Sequence, residues 1–344
     1  MHKELRIILE GPCERMSALT DVDIHSKRID LLEHTLLLAE CAINRTDLTD
    51  TVFVEKVSKS QLSKLNLTRS YQVFTGIFYD LLSTHIRSHN LHLYRRYTRI
   101  LGIDSTFIRT SMKHAGKYRR SKTEEGIKMQ TPALLYPLTL PMDALITPAN
   151  NNDSPLFDQT IQDLIDVQGE DFLRSCILVF DLGYYDLERF TLLKLRGIPF
   201  VTRMKSNARY DVIREYAHSS IIRFGSGLEL RYVTITVDGE DRNYLTDILD
   251  LPDVYIHWIY SLRWEIEIFF RTMKSLLRVD HLISRKLNGI MVQMFAFLCA
   301  YLALLMIQAM LPGWSLAEII RSLRHGTSLH LRKNGNASRT LGIA

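Results

Sequence analysis

The stretch Tyr260–Lys274, YSLRWEIEIFFRTMK, sets two carboxylates, Glu265 and Glu267, among aromatic residues with cations on either side. In a helix turning about 100° per residue, Tyr260, Arg263, Glu267 and Lys274 share one sector of roughly 60°, and Arg271 and Arg278 extend that face. Glu265 falls on the opposite side. Glu267 then has two readings. It can belong to a solvated face, paired with Arg263 four residues earlier for about 0.3 kcal/mol. Or it can bind a metal ion while the flanking cations hold a phosphate backbone, which requires partner carboxylates elsewhere.

Two aspartates offer themselves. Asp104 closes the apolar run RILGID, and Asp181 closes CILVFD. Both carboxylates would project from the end of a sheet, although aspartate also ends strands simply as a turn former. Two strand-borne aspartates and one helical glutamate could together hold two divalent cations about 4 Å apart, suited to in-line attack at phosphorus. Magnesium takes oxygen ligands and keeps several waters, so three carboxylates suffice. Asp186 and Glu188 lie close to Asp181 but fit a surface helix start, and Asp143 fits a turn. The basic run Lys113, Lys117, Arg119, Arg120 and Lys122 suits either a solvated loop or a contact to a DNA backbone.

The elements that must position these groups follow from the surrounding pattern. RILGID with STFIRT predicts a strand, and Gly126–Asn150 two more with a turn near Pro141–Asp143. DSPLFDQTIQDLIDVQG opens with helix-start residues. A buried strand at Cys176–Phe180, a helix stopped by Gly197 and a further strand complete an α/β order with some parallel pairing. Residues 205–252 have strand texture with a turn at Asp238–Gly239, a β-rich insertion ahead of the Glu267 helix. Residues 1–97 are expected to be helical, serving either as a DNA-binding module or as a plain helical cap. Residues 311–344 form a basic C-terminal tail.

Composition narrows the class. The chain has 344 residues, 46% hydrophobic and 24% charged, with a formal charge of +5, compatible with nucleic acid but not sufficient to imply it. The four cysteines are scattered, which disfavours a disulfide framework or zinc site and suits a reducing cytoplasm. The N-terminus lacks an apolar stretch of signal-peptide length. Gly289–Leu311 carries no charge and is long enough to span a bilayer, yet Gln293 and Gln308 interrupt it, and a helix apolar all round also suits a protein core.

The spacing Tyr260, Arg263, Glu267, Lys274 resembles the Y-R-E-K signature of DDE transposases of the insertion sequence 4 type. GIDST around Asp104 and VFDLGYYD around Asp181 are similar to that family's two aspartate motifs. PFVTRMKSNARY resembles the segment after the second aspartate's helix, and the likeness covers roughly Ile100–Met310. The resemblance implies an RNase H-like catalytic domain over 98–310, a mixed sheet flanked by helices with the β-rich insertion before the Glu helix. It makes Asp104, Asp181 and Glu267 the metal-binding catalytic triad, served by two Mg²⁺ ions, with Mn²⁺ as a substitute. Tyr260, Arg263, Arg271 and Lys274 become contacts to DNA. The implied partners are double-stranded transposon ends and target DNA, bound by a homodimer in the cytoplasm at the nucleoid, with no membrane. Gly289–Leu311 becomes a buried helix behind the catalytic sheet. Some relatives stack a flipped base on an insertion-domain tryptophan; this insertion has none, and Trp258 and Trp264 flank Tyr260 instead. The alternatives are a transposase-derived DNA-binding regulator without catalysis, or a stand-alone RNase H-like nuclease.

Overall fold

A computed structural model describes residues 3–23, 29–46, 58–89, 97, 99–109, 125–151, 153–279, 284, 286–325, 330–331 and 339–340. The basic run at 113–122 lies outside these residues. The chain divides into two compact units.

One unit, comprising residues 1–92, 108–116 and 271–344, is built from helices. These are α1 (Lys3–Thr20), α2 (Leu31–Asn44), α3 (Lys59–Thr68) and α4 (Tyr71–Ser88). Asp30, Ser58 and Ser70 supply the N-cap oxygens of α2, α3 and α4, and Ser58 forms a full capping box with Gln61.

The other unit, residues 93–107 and 117–270, contains a ten-stranded sheet. Its first strands are β1 (Arg99–Arg109), β2 (Gly126–Tyr136), β3 (Leu140–Pro141) and β4 (Leu145–Pro148). The helices α5 (Asp153–Gln168) and α6 (Glu170–Ser175) lead into β5 (Cys176–Val179). Then α7 (Leu187–Arg196), stopped by Gly197 in the left-handed conformation, leads into β6 (Phe200–Arg203). The insertion supplies β7 (Asp211–Glu215), β8 (Ser219–Arg223), β9 (Glu229–Val237) and β10 (Glu240–Thr246). Asp238 and Gly239 both take positive φ at the β9–β10 turn, as an Asp-Gly hairpin requires. The strand order is β3-β2-β1-β5-β6-β10-β9-β8-β7, with β4 also on β2. β1, β5 and β6 run parallel, and the insertion joins the same sheet by antiparallel pairing of β10 with β6. This mixed sheet with flanking helices is consistent with the RNase H-like fold.

Helices cover both faces of this sheet. Phe157 of α5 and Phe190 of α7 pack on Phe180 and Phe200, with ring centroids 5.0–6.0 Å apart. All four rings are fully buried, so this cluster holds the C-terminal end of β5 in place from below. The other face at β6 and β10 is covered by α8 (Asp253–Ser261), whose Tyr260 and His257 pack on Tyr244. α9 (Trp264–Ser275) follows.

Beyond it come α10 (Leu287–Met310) and α11 (Leu316–Arg324), then a two-residue pairing of β11 (His330–Leu331) with β12 (Arg339–Thr340). Within the stretch expected as a basic tail, α11 is a regular helix with a Ser315–Glu318 capping box. Among the described residues α10 alone is long and apolar enough to cross a membrane, and 83% of its most apolar window is buried inside the protein. Within its unit α10 packs on α1, α2, α3, α4 and α11. Asn288 fastens it to the α3–α4 corner, donating to the Arg69 carbonyl at 2.8 Å and accepting from the Tyr71 N–H at 3.2 Å.

Candidate active site

Strand register brings the two aspartates together. Each paired residue of β1 faces the β5 residue 77 positions later, from Arg99 with Cys176 to Gly102 with Val179. Asp104 and Asp181 stand at that same offset, two residues beyond the last pair and on the same side by the two-residue alternation of strands. Adjacent strands lie about 4.8 Å apart, so the register alone makes the carboxylates neighbours. Each has one oxygen fixed by backbone. Asp104 Oδ1 accepts from the Ser105 N–H at 2.8 Å, and Asp181 Oδ1 from the Gly183 N–H at 2.8 Å. The latter bond caps a one-turn 3₁₀ helix, Leu182–Tyr184. A Cβ on residue 183 would come within 3.0 Å of that oxygen, which suits glycine there.

Glu267 reaches the same neighbourhood by way of a corner. The single continuous helix expected over 260–274 is two helices, α8 and α9, that meet at Leu262 and Arg263. There Arg263 N–H donates to the Tyr260 carbonyl at 3.0 Å and Glu265 N–H to the Leu262 carbonyl at 2.9 Å, three residues back instead of four. That tighter winding advances each residue by more than the ideal 100° and re-aims the Arg263 side chain. Its guanidinium points at two carboxylates. Nη2 donates to Glu267 Oε1 at 2.6 Å, and Nη1 lies 3.5 Å from Asp104 Oδ2. Nε is buried and has no hydrogen-bond partner among the described residues. Tyr260 places its ring 6.0 Å from the guanidinium carbon.

The electrostatics follow from this crowding. Burial pushes the Asp104 carboxyl up to about 6; the Ser105 N–H and Arg263 oppose the shift, while Asp181 and Glu267 add to it. Burial works against the charge on Arg263, but the Glu267 hydrogen bond, with Tyr260 and Asp104, more than offsets it and the group is held above its usual range. The Tyr260 hydroxyl is also raised, chiefly by burial, with Arg263 and Arg203 opposing and Asp181 adding.

Asp104, Asp181, Glu267, Arg263 and Tyr260 therefore share one neighbourhood. Arg271, exposed, and Lys274, half-buried, follow Glu267 along α9 in the stretch that groups with the helical unit. Arg278 does not extend the face: it lies past the end of α9 with positive φ, and its Nη1 donates to the Arg45 carbonyl at 2.9 Å. Glu265 turns away from the site, with Oε2 3.5 Å from the Thr139 hydroxyl. Asp186 caps α7, accepting from the Glu188 and Arg189 N–H groups. Two cations that the sequence reading did not single out, Arg203 and Arg242, stand beside Tyr244 on the sheet face under α8. Only the antiparallel register, Tyr244 opposite Arg203, reveals them.

Among the described residues no three His, Cys, Asp or Glu side chains form a preformed metal cluster. The chemistry still fits a hard divalent cation, since the three acids offer oxygen alone.

A mixed sheet that presents acids from adjacent parallel strands and from a following helix is an architecture for phosphodiester chemistry, and comparison with known proteins agrees. The model of the transposase DDE domain matches residues 97–303. The chain is 24% identical over 261 residues to a putative transposase for insertion sequence element IS4SA of Synechocystis, covering 73% of this chain and 72% of that one. It is 31% identical over 152 residues to the putative transposase y4zB of Sinorhizobium fredii, covering 39% and 42%. With a probable transposase for insertion sequence element IS5377 of Geobacillus stearothermophilus it shares 27% identity over 195 residues, covering 52% and 48%. The chain belongs to the DDE transposase family, DNA-binding enzymes whose general function is DNA cleavage and strand transfer and which generally use divalent metal ions.

Proposed function

We propose that Asp104, Asp181 and Glu267 are the catalytic carboxylates and hold two Mg²⁺ ions, or Mn²⁺ in their place. The observation that carries this reading is the β1–β5 register, which sets Asp104 beside Asp181, joined to Glu267 through Arg263. Bound divalent cations would supply charge stabilisation at the reacting phosphorus and ease deprotonation of the nucleophile. The chain does the rest. Backbone N–H groups fix one oxygen of each aspartate, leaving the other to face the site. Tyr260, Arg263, Arg271 and Lys274 contact the phosphates of the transposon end and so fix its register. Water is the first nucleophile and the freed 3′-OH the second, attacking target DNA at the same site without a covalent protein intermediate.

The catalytic region is 98–310, with 1–97 as a helical DNA-binding module or cap and 311–344 as a basic tail. Two copies act together on paired ends, in the cytoplasm at the nucleoid. A strand-transfer assay tests this, with donor DNA carrying the segments that flank the coding sequence. Cleavage followed by joining is expected. Nicking without joining would favour a stand-alone nuclease, and binding without cleavage a DNA-binding regulator.

A further inference from the structure

We propose that Arg263 is an exchangeable counter-ion: it pairs with Asp104 and Glu267 and would move to a DNA phosphate when a divalent cation binds those acids. This inference rests on the carboxylate site proposed above and concerns how it is loaded. Three observations point to it. The guanidinium reaches both acids from one position, at 2.6 Å from Glu267 and 3.5 Å from Asp104. A cation bound through Glu267 Oε1 and Asp104 Oδ2 would compete with it for the oxygen atoms it engages. Its Nε is buried without a partner among the described residues, so this arrangement leaves one strong donor unused there. A phosphate accepting from Nε and one Nη together would satisfy that donor in the bidentate geometry that guanidinium favours.

The fit to Asp104 is also incomplete. The Nη1 contact is at the outer limit of a hydrogen bond, and the structure lacks a preformed three-acid cluster among its described residues. The long contact marks Asp104 as the more weakly held of the two acids. Arg263 is therefore a positioning residue for metal entry as well as a phosphate contact. Metal binding and DNA binding must then favour each other, and by linkage the coupling is reciprocal.

The test uses the full chain and Mn²⁺ alone, with free Mn²⁺ followed by electron paramagnetic resonance. Arg263→Gln should bind Mn²⁺ about tenfold more tightly than wild type, since a competing cation has gone. A purely structural role, in which Arg263 organises the acids, predicts weaker binding instead. The second arm measures affinity for a short duplex of arbitrary sequence by fluorescence anisotropy across a salt series. Adding Mn²⁺ should steepen the slope of log affinity against log salt by about 0.9 more in wild type than in Arg263→Gln, one phosphate contact. Unchanged or weakened Mn²⁺ binding in Arg263→Gln, or equal slope changes in both proteins, overturns the exchange. Glu267→Gln separates this failure from failure of the site. If it leaves Mn²⁺ binding by wild type and by Arg263→Gln intact, the carboxylate assignment itself falls. If it abolishes binding while Arg263→Gln alone changes nothing, only the exchange falls.

Discussion

Replacing Asp104 with Asn should abolish activity and at the same time make the metal-free protein more stable at neutral pH. The Asp104 carboxyl rises from 3.8 to about 6 on folding, because it is buried beside Asp181 and Glu267. The folded state thus holds this proton more tightly than the unfolded chain. Below 3.8 both states are protonated and the residue costs nothing; as pH rises through 6 the folded state must ionise a carboxyl that its surroundings disfavour. The full difference corresponds to about 3 kcal/mol above that window. Asparagine also forfeits the long contact to Arg263, so a net gain of about 1–3 kcal/mol is expected at pH 8, shrinking towards zero at pH 4. Urea unfolding in EDTA measures it, followed by tryptophan fluorescence, to which Trp258 and Trp264 of the α8–α9 region contribute. Added Mg²⁺ should then stabilise wild type but not Asp104→Asn. A variant no more stable than wild type at pH 8, or a difference that ignores pH, would refute the reasoning.

Lys274→Ala should weaken DNA binding across all sequences and flatten the salt dependence by about one phosphate contact, read by gel shift over a salt series. Asp186→Ala should cost about 1 kcal/mol in urea unfolding through loss of the α7 cap, yet leave DNA cleavage intact, because that carboxylate is spent on backbone N–H groups. Gly289→Ala should destabilise the helical unit by about 1–3 kcal/mol: its Cβ would approach Ser284 Cβ at 2.6 Å and the Asn66 carbonyl at 3.1 Å. Thermal unfolding followed by circular dichroism checks this.

Much of the layout was legible in the sequence because local chemistry writes it there. Gly197 announces a helix stop, Asp238–Gly239 a hairpin, and the apolar runs that end at Asp104 and Asp181 are strands. What sets two distant aspartates side by side is a parallel register, a tertiary fact that no local pattern encodes. The corner at Leu262–Arg263 was invisible for a similar reason. Its residues have ordinary helical propensity, and only bonding to carbonyls three residues back reveals the break. Helical geometry therefore assigned Glu267 and Glu265 to opposite sides correctly, while its extension of the face to Arg278 failed where the helix ends. The partners of α10 were equally hidden, since an all-apolar helix carries no face to indicate what covers it.

The comparison of Glu267→Gln with Glu265→Gln tests the central claim most directly, through Mg²⁺-dependent cleavage of transposon-end DNA alongside gel-shift affinity. Glu267→Gln should lose cleavage and strand transfer while keeping DNA binding, since the neighbouring cations remain. Glu265→Gln, whose side chain meets Thr139 outside the site, should cleave nearly as wild type does. An active Glu267→Gln beside a dead Glu265→Gln would contradict the account.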